Sequence, residues 1–401
     1  MSKYAYLVMV EAGNNKNKFY EMIDQDNGTF ISYNGRVDVS RVQQKPVSIN
    51  EWEKTLRSKI KKGYVDVTEL KTEKVVNNTT YLPITDPLVK KLIDDLNKFS
   101  NQAILENYTV KVSQVTRAQI EEAQRLLNEI NSQIDSAIKS KLYVNINLTL
   151  QKLFTVIPRK MAKVNDYLIH NQNDLEKLQK EQDLLDTLNQ QVGQQVSNND
   201  SAQKAMDILD YLGLRVSYLT DDKIVRQIKD MCVGGFRQKV KNIYCVTNIK
   251  TQKDYDNELA SRTNKKTELL WHGSRNENWL SILKNGLMIR PSSAVYSGSM
   301  FGDSIYLSDD VDKSGGYTSM RGSRWAGGNL NQFYMALYDT HLGNQKVFDR
   351  HDSSCYNLHK TLDKNIYDSV YAKPGVSLRK SEYMIYKKEK CTIKYLIEFE
   401  N

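Results

Sequence analysis

The sequence predicts a multidomain α+β protein with a small antiparallel sheet module, an all-α helical bundle and a mixed or antiparallel β-rich domain. Its 401 residues are enough for two or three domains, because single domains usually hold about 100–200 residues. Glycine separates the last two parts, since residues 81–231 contain only Gly193 and Gly213 whereas residues 273–343 contain ten glycines. The spacing of hydrophobic residues along the chain also changes, from every second residue in the first part to a helical spacing in the middle part and back to every second residue in the last part. These shifts place the domains at 1–78, 79–231 and 240–401.

The composition is that of a soluble globular chain, with 40% hydrophobic and 26% charged residues. No apolar run approaches the roughly 18 residues that a transmembrane helix needs, and the N-terminus lacks the shape of a signal peptide. The four cysteines lie far apart with no His at ligand spacing, which predicts no metal site and an intracellular, reducing compartment. The net charge of +9 is spread along the chain, so it favours nucleic-acid binding only mildly. No membrane partner is expected.

The first module is predicted from short runs rich in aromatic and β-branched residues. Gly, Asn and Asp separate these runs, as expected for turns. A helix should follow them, with Ser48 or Asn50 as its cap. The pattern predicts a small antiparallel sheet with one helix packed on it, its strands being 4–10, 18–23 and 29–33.

The middle part is predicted to be helical. Pro87 suits the first turn of one helix, and Thr116 with Gln119 matches a capping box that opens a longer one. The Asn- and Gln-rich segment 171–200 is expected to form a helix and an exposed connection. The longer helix has an apolar seam at spacings of three and four, formed by Ile120, Ala123, Leu127, Ile130, Ile134 and Ile138.

The hydrophobic period returns to two from about residue 242. Many short strands with long, glycine-rich connections predict a compact mixed or antiparallel sheet whose loops form clefts. The strand candidates are 242–248, 267–271, 304–308, 333–338, 369–372, 382–386 and 393–399.

Three features of this last domain suggest chemistry. His272 follows an apolar strand and stands beside Gly273, whose bare backbone can approach a ligand. Tyr306 and Tyr317 flank a flexible, hydroxyl-bearing bend. Glu382 opens an apolar strand, where a carboxylate is costly unless it is paired or functional. Each of these residues, taken alone, more often has a structural role than a catalytic one. The interpretation as a functional site therefore depends on the order and context of all three features.

The same features lie in three motifs that resemble the catalytic domain of poly(ADP-ribose) polymerases over residues 268–401. The motifs are LLWHGSR at 269–275, MFGDSIYLSD at 300–309 with KSGGY at 313–317, and SEYMIY at 381–386 with KYLI at 394–397. This resemblance implies the ADP-ribosyltransferase fold for the last domain.

The rest of the chain is also similar to parts of that family. Residues 81–231 resemble its helical regulatory domain, through KVSQVTRAQI at 111–120 and LFTVIP at 153–158. Residues 1–75 resemble the small sheet module named for a Trp-Gly-Arg tripeptide (WGR), although Asn34 stands where the tryptophan is expected.

The resemblance implies that NAD is the substrate, that no metal is needed, and that the acceptors are proteins including the enzyme itself. The implied catalytic residues are Glu382, His272 and Tyr306. Ser281 stands where the family has a glycine and Met288 where it has an arginine, which Arg290 could replace. The NAD-binding residues implied by the motifs are His272, Gly273, Ser274, Asn278, Ser281, Arg290, Ser314 and Tyr317.

The resemblance further implies DNA ends or nicks as partners, a part in DNA repair, and a nuclear location if the source is eukaryotic. Without the tryptophan ring, DNA contact would rest on phosphate binding by Arg36, Arg41 and Lys45. The helical domain would then gate the NAD cleft in response to DNA.

Three activities remain open at this point. The His, Tyr and Glu combination is associated with polymer-forming members, which favours poly-ADP-ribosylation. Lys380 and Ser381 replace features of the family's acceptor rim, so transfer of a single unit is the alternative. A nucleic-acid-binding module with an inert catalytic domain is the third, although an inert site has no chemical reason to keep His272, Tyr306 and Glu382.

Overall fold

The computed structural model describes residues 2–37, 39–68, 81–194, 207–289, 300–320, 331–375 and 377–401. Two compact units are found, and the boundary between them falls within one helix, after Ser100. The first unit holds Met1–Thr79 and Asn101–Ser201, and the second holds Thr80–Ser100 and Ala202–Asn401.

The first unit opens with an antiparallel sheet in the order β4-β3-β2-β1-β6, with β5 also paired to β3. Helix α1 (Trp52–Lys61) packs on this sheet through Trp52, whose ring meets that of Phe30 edge-on at 5.2 Å. The expected sheet with one helix is therefore confirmed. The strands are β1 (Tyr4–Glu11), β2 (Lys16–Asp24), β3 (Thr29–Arg36), β4 (Val42–Gln43), β5 (Val47–Ser48) and β6 (Val65–Asp66).

Four longer helices follow in the chain. Pro87 opens the first of them, and Thr116 and Gln119 form the predicted capping box at the start of the second. Most of the predicted seam of that helix is buried, but Ala137 rather than Ile138 completes it. The helices are α2 (Pro87–Asn107), α3 (Arg117–Ser140), α4 (Val144–Val156) and α5 (Glu176–Gly193).

The second unit contains two sheets joined by short helices. A five-stranded antiparallel sheet has the order β7-β8-β15-β11-β9, and a four-stranded sheet has the order β10-β14-β13-β12, in which β12 and β13 are parallel. The strands are β7 (Leu214–Tyr218), β8 (Val240–Asn248), β9 (Thr267–Gly273), β10 (Ile305–Leu307), β11 (Gln332–His341), β12 (Gln345–Phe348), β13 (Ser369–Ala372), β14 (Glu382–Ile385) and β15 (Cys391–Glu400). The helices are α6 (Ile208–Leu212), α7 (Asp222–Met231), α8 (Ile249–Ala260), α9 (Trp279–Asn285), α10 (Val311–Gly315) and α11 (Leu358–Thr361).

All seven predicted strands of this region overlap observed ones, and the fold is the expected mixture of helices and largely antiparallel sheets. The all-helical prediction for 81–231 is wrong at β7, which pairs with β8 at the edge of the five-stranded sheet. Its burial alternates, because Leu214 is buried whereas Arg215 and Ser217 are exposed. The low glycine content of 81–231 favours a helical prediction, although the alternating burial of β7 is typical of a strand.

Buried apolar residues of the first half of α2 belong to the core of the second unit. Leu92, Ile93 and Leu96 lie in one cluster with Trp279 and Tyr334. This part of α2 is thus a component of the second unit's core. None of the described helices has an apolar stretch long enough to cross a membrane.

Candidate active site

Strand β10 links the three sequence motifs of the second unit. The backbones of Trp271 and Ser308 exchange two hydrogen bonds, of 2.7 and 3.1 Å, and Tyr306 stands opposite Met384 where β10 pairs with β14. The end of β9, strand β10 and the start of β14 therefore lie side by side. This arrangement brings His272, Tyr306 and Glu382 into one region.

His272 is held in one orientation by β10. Its Nδ1 lies 3.2 Å from the carbonyl oxygen of Tyr306, and a carbonyl can only accept, so Nδ1 carries the proton. Burial lowers the pKa of His272 to about 4, which keeps the ring neutral near pH 7. The remaining nitrogen, Nε2, is then a hydrogen-bond acceptor suited to a hydroxyl group.

The hydroxyl of Tyr306 is committed to the loop before β10. It donates to the carbonyl of Gly302 and accepts from the amide of Phe301, both at 2.9 Å. Burial raises the pKa of Tyr306 well above its usual value, so the phenol stays neutral. The ring, rather than the hydroxyl, is the part of Tyr306 that can contact a ligand.

Glu382 is a buried carboxylate with one oxygen engaged. Its side chain is 8% exposed, and Oε1 lies 2.6 Å from Nζ of Lys313. The second oxygen, Oε2, is buried and has no hydrogen-bond partner among the described residues. Burial raises the pKa of Glu382, although the Lys313 cation opposes this. An unpartnered buried carboxylate oxygen is costly and is a typical mark of a functional group.

Gly273 is required by a close approach of α10. A Cβ at this position would lie 1.9 Å from the carbonyl oxygen of Ser314, so no side chain fits without a backbone shift. Successive residues of a strand turn their backbone N–H and C=O groups to opposite edges, so those of Gly273 face the same edge as those of Trp271, away from β11. A planar amide could bind them there.

Tyr317 follows α10 and leaves an aromatic surface open. Its amide donates to the carbonyl of Ser314 at 3.1 Å, and the residue is 55% exposed. An exposed ring next to a backbone amide edge can stack on a flat, cationic heterocycle.

Comparisons with known proteins show which family the chain belongs to. A family model of the poly(ADP-ribose) polymerase catalytic domain matches residues 222–373. The putative poly [ADP-ribose] polymerase-like protein 100L of Invertebrate iridescent virus 6 is 33% identical over 159 residues, which cover 39% of this chain and 83% of that protein. The chain belongs to the poly(ADP-ribose) polymerase family. It is accordingly an NAD+ ADP-ribosyltransferase.

Other relatives of this family member are viral and animal proteins. The uncharacterized protein 101L of the same virus is 34% identical over 210 residues, which cover 52% of this chain and 86% of that protein. The poly [ADP-ribose] polymerase of Drosophila melanogaster is 25% identical over 351 residues, covering 77% of this chain but only 33% of the fly protein. The match thus extends upstream of the catalytic domain, while the chain spans about a third of the fly enzyme's length.

The other predicted NAD-binding residues of the polymerase family member fall into two groups. Asn278 donates from Nδ2 to the Ser274 hydroxyl at 3.2 Å, and its Oδ1 is buried without a partner among the described residues. Ser281 is instead buried within α9, where its hydroxyl accepts from Asn285 at 3.3 Å. The structure thus pairs Ser274 with Asn278 and keeps Ser281 within its own helix, while Arg290 lies outside the described residues.

Lys313 is a functional candidate that the sequence reasoning missed. It lies in the second motif directly before Ser314, and only the structure joins it to Glu382 of the third motif. Lys313 itself is a signal in the sequence, because Glu382 lies in a buried strand and a buried carboxylate needs a cation as its partner. Within the described residues no group of three His, Cys, Asp or Glu side chains is arranged to hold a metal ion.

The three predicted DNA-contact residues of the first unit differ in their surroundings. Arg36 donates to the carbonyls of Asn15, Met161 and Ala162 at 2.7–3.0 Å, so its guanidinium fastens the sheet to the segment after α4. Arg41 pairs with Glu21 at 2.7 Å, and Lys45 is exposed. Arg41 and Lys45 remain on the surface of the unit.

Proposed function

We propose that this family member transfers ADP-ribose from NAD to protein acceptors, including itself, and extends the product into poly(ADP-ribose) with release of nicotinamide. The observation that carries the proposal is the buried Glu382 carboxylate, which has one oxygen on Lys313 and the other free of partners among the described residues. A ribose hydroxyl of NAD would supply the missing partner.

The residues around Glu382 suit the other parts of NAD. The backbone edge of Gly273 would bind the nicotinamide carboxamide with help from the Ser314 hydroxyl, and Tyr317 would stack on the pyridinium ring, with Tyr306 on its other side. The acceptor nitrogen of His272 would receive a hydrogen bond from a ribose hydroxyl. Ser274 and Asn278 would line the adenosine side.

The reaction then needs positioning and charge stabilisation. The bond between the ribose carbon and the nicotinamide nitrogen breaks, and its electron pair leaves with nicotinamide. The Glu382 carboxylate stabilises the positive charge that develops on the ribose. The acceptor oxygen forms the new bond and loses its proton to Glu382 acting as the general base.

The variant Glu382→Gln tests this assignment. The amide keeps the size of the side chain but removes the charge, so turnover should fall on the order of 10²–10³-fold. Incubation with labelled NAD should give a ladder with wild-type protein and none with the variant. Glu400→Gln, at an exposed carboxylate, is the control and should behave as wild type. A ladder of normal length from Glu382→Gln would contradict the assignment.

Transfer of a single ADP-ribose unit is the second candidate activity, because Lys380, two residues before Glu382, favours it. Lys380 lies on the acceptor rim implied by the family resemblance, and its ammonium is tied to Asp310 and Asp312. The same labelling assay separates the outcomes. A ladder supports polymer formation, one sharp band supports single transfer, and no product supports an inert domain.

We also propose that the helical region gates the cleft through α2. Ser100 of this helix donates to the carbonyl of Glu277, beside Asn278, at 3.0 Å, and Asp95 accepts from Gln332 of β11 at 3.0 Å. An activator would have to favour the state in which these contacts change.

Asp95→Ala tests the gate, and Asp94→Ala is its matched control because, among the described residues, the ion pair of Asp94 is with Lys90 on the same helix. Turnover of NAD without DNA should rise for Asp95→Ala and stay unchanged for Asp94→Ala. Equal turnover in both variants would refute a gate at this contact.

We propose DNA breaks as the activator. The protein would then act in DNA repair and, in a eukaryotic host, be located in the nucleus. Contact would rest on phosphate binding by Arg41 and Lys45, so stimulation should weaken steeply with salt. Initial NAD turnover with and without nicked DNA, at two salt concentrations, measures this. Full activity without DNA would mean that the first module has another role.

A further inference from the structure

The segment just before Glu382 is fastened to the start of α10 by a lysine. Nζ of Lys380 lies 2.8 Å from Oδ1 of Asp310 and 2.7 Å from Oδ2 of Asp312. The Lys380 side chain is 34% exposed and those of the two aspartates 27% and 41%. One ammonium thus bridges two carboxylates at the rim of the site.

Asp310 connects this tether to the helix itself. The same Oδ1 atom accepts from the amides of Asp312 and Lys313, at 2.8 and 3.1 Å, and so caps the N-terminus of α10. Lys380 is therefore attached to the group that sets the first turn of α10, from which Lys313 projects.

Lys313 closes the connection to the reacting group. Its ammonium donates to the carbonyl oxygen of Lys380 at 3.4 Å and pairs with Oε1 of Glu382 at 2.6 Å. The Lys380 side chain fixes the position of the Lys380 carbonyl, and that carbonyl helps hold Lys313 on Glu382.

A second set of contacts holds the next residue. The Ser381 hydroxyl donates to Asp309, and its carbonyl accepts from the Ser308 hydroxyl at 3.3 Å. These bonds do not involve Lys380, so the strand should keep its place when Lys380 is replaced. The expected effect of a Lys380 variant is therefore on the Lys313–Glu382 pair rather than on the fold.

We propose that Lys380, tethered to Asp310 and Asp312, is a positioning residue that holds Lys313 against the Glu382 carboxylate. The inference rests on the proposed transfer from NAD by Glu382. Under this inference Lys380, a residue of the rim where the acceptor would bind, contributes to the chemical step.

Lys380→Met removes the charge and keeps the unbranched stem. We expect kcat for nicotinamide release to fall at least about tenfold, since small misplacements of catalytic groups are costly, while KM for NAD stays nearly constant. Lys380→Arg should restore most of kcat, because a guanidinium can bridge two carboxylates. The matched control is Lys373→Met, at an exposed lysine of the same loop whose ion pair, within the described part of the chain, is with the exposed Asp349, and it should behave as wild type.

A double-mutant cycle separates positioning from general stability. If Lys380 acts through Lys313, then Lys380→Met should cost almost nothing further in a Lys313→Met background, whereas independent sites would add. Asp312→Asn provides a second single variant, because it weakens the tether and leaves the Asp310 cap in place. Thermal unfolding of every variant checks the fold.

Three results would overturn the inference: additive losses in the cycle, a Lys380→Met enzyme as active as Lys373→Met, or a loss confined to KM. If wild-type protein releases no nicotinamide from NAD, the proposed function itself fails and the inference falls with it. Active wild-type protein with an unaffected Lys380→Met variant removes the inference alone.

Discussion

Replacing Lys313 with methionine would leave the Glu382 carboxylate without its cation. The two groups lie 2.6 Å apart, with side chains 16% and 8% exposed. Removing one partner of a buried ion pair usually destabilises a protein by about 3–5 kcal/mol if the other partner stays charged. The carboxyl can avoid much of this cost by taking up a proton.

The pH dependence follows from the direction of that change. Burial already raises the pKa of Glu382, and Lys313 is the cation that opposes the rise, so Lys313→Met should raise the pKa further. Because the folded state favours the protonated carboxyl, the stability from this group is present below the usual glutamate pKa and is lost as the pH rises through the raised pKa. Activity needs the carboxylate and should rise over the same window. Both changes should move to higher pH in the variant.

The measurements are kcat for nicotinamide release and the thermal midpoint, each as a function of pH. In the variant, kcat should approach the Glu382→Gln value at low pH, a loss on the order of 10²–10³-fold, and recover as the pH rises. Lys373→Met, at an exposed lysine, controls for loss of positive charge alone. An acid limb at the same pH in wild type and Lys313→Met would refute the role of Lys313.

Two further predictions concern the stacking ring and the first unit. Tyr317→Ala should raise KM for NAD by about 2–30-fold, the equivalent of a cation–π contact of about 0.5–2 kcal/mol, and should also weaken a nicotinamide-like inhibitor that uses the same stacking face. An unchanged inhibitor affinity in NAD competition assays would place the nicotinamide elsewhere. Arg36→Ala should lower the free energy of unfolding by about 1.5–3 kcal/mol, because its charged hydrogen bonds reach Met161 and Ala162. Arg41→Ala, which removes an exposed guanidinium from its pair with Glu21, should cost at most about 1 kcal/mol. Urea titration of both variants measures the two losses, and equal losses would contradict the fastening role of Arg36.

Local patterns in the sequence predict much of this fold. The strand at Ser369–Ala372 and the capping box of Thr116 and Gln119 match the structure because each depends on neighbouring residues alone. Strand β7 departs from the helical prediction, because the low glycine content of 81–231 indicates helices whereas the alternation of Leu214, Arg215 and Val216 indicates a strand. The helical pattern of α2 likewise says nothing about which core its apolar face joins.

In the site, too, features that depend on neighbouring residues are predicted from the sequence, whereas contacts between residues far apart in the chain are not. Motif order predicts that His272, Tyr306 and Glu382 act together, and strand β10 brings them side by side. The Lys313–Glu382 pair and the Lys380 tether join residues about 70 positions apart. Such pairs depend on how α10 docks against β14, which no local pattern encodes.

The contact between Gly273 and Ser314 bears on how this enzyme could be altered. Since the obstruction is a main-chain oxygen 1.9 Å from any added Cβ, changing the Ser314 side chain cannot make room for it. An alanine scan of α10 would therefore overlook the contact entirely, while saturation mutagenesis at position 273 should return glycine alone. Directed evolution toward altered NAD analogues would do better to vary Tyr317, whose exposed ring can change size without moving the backbone.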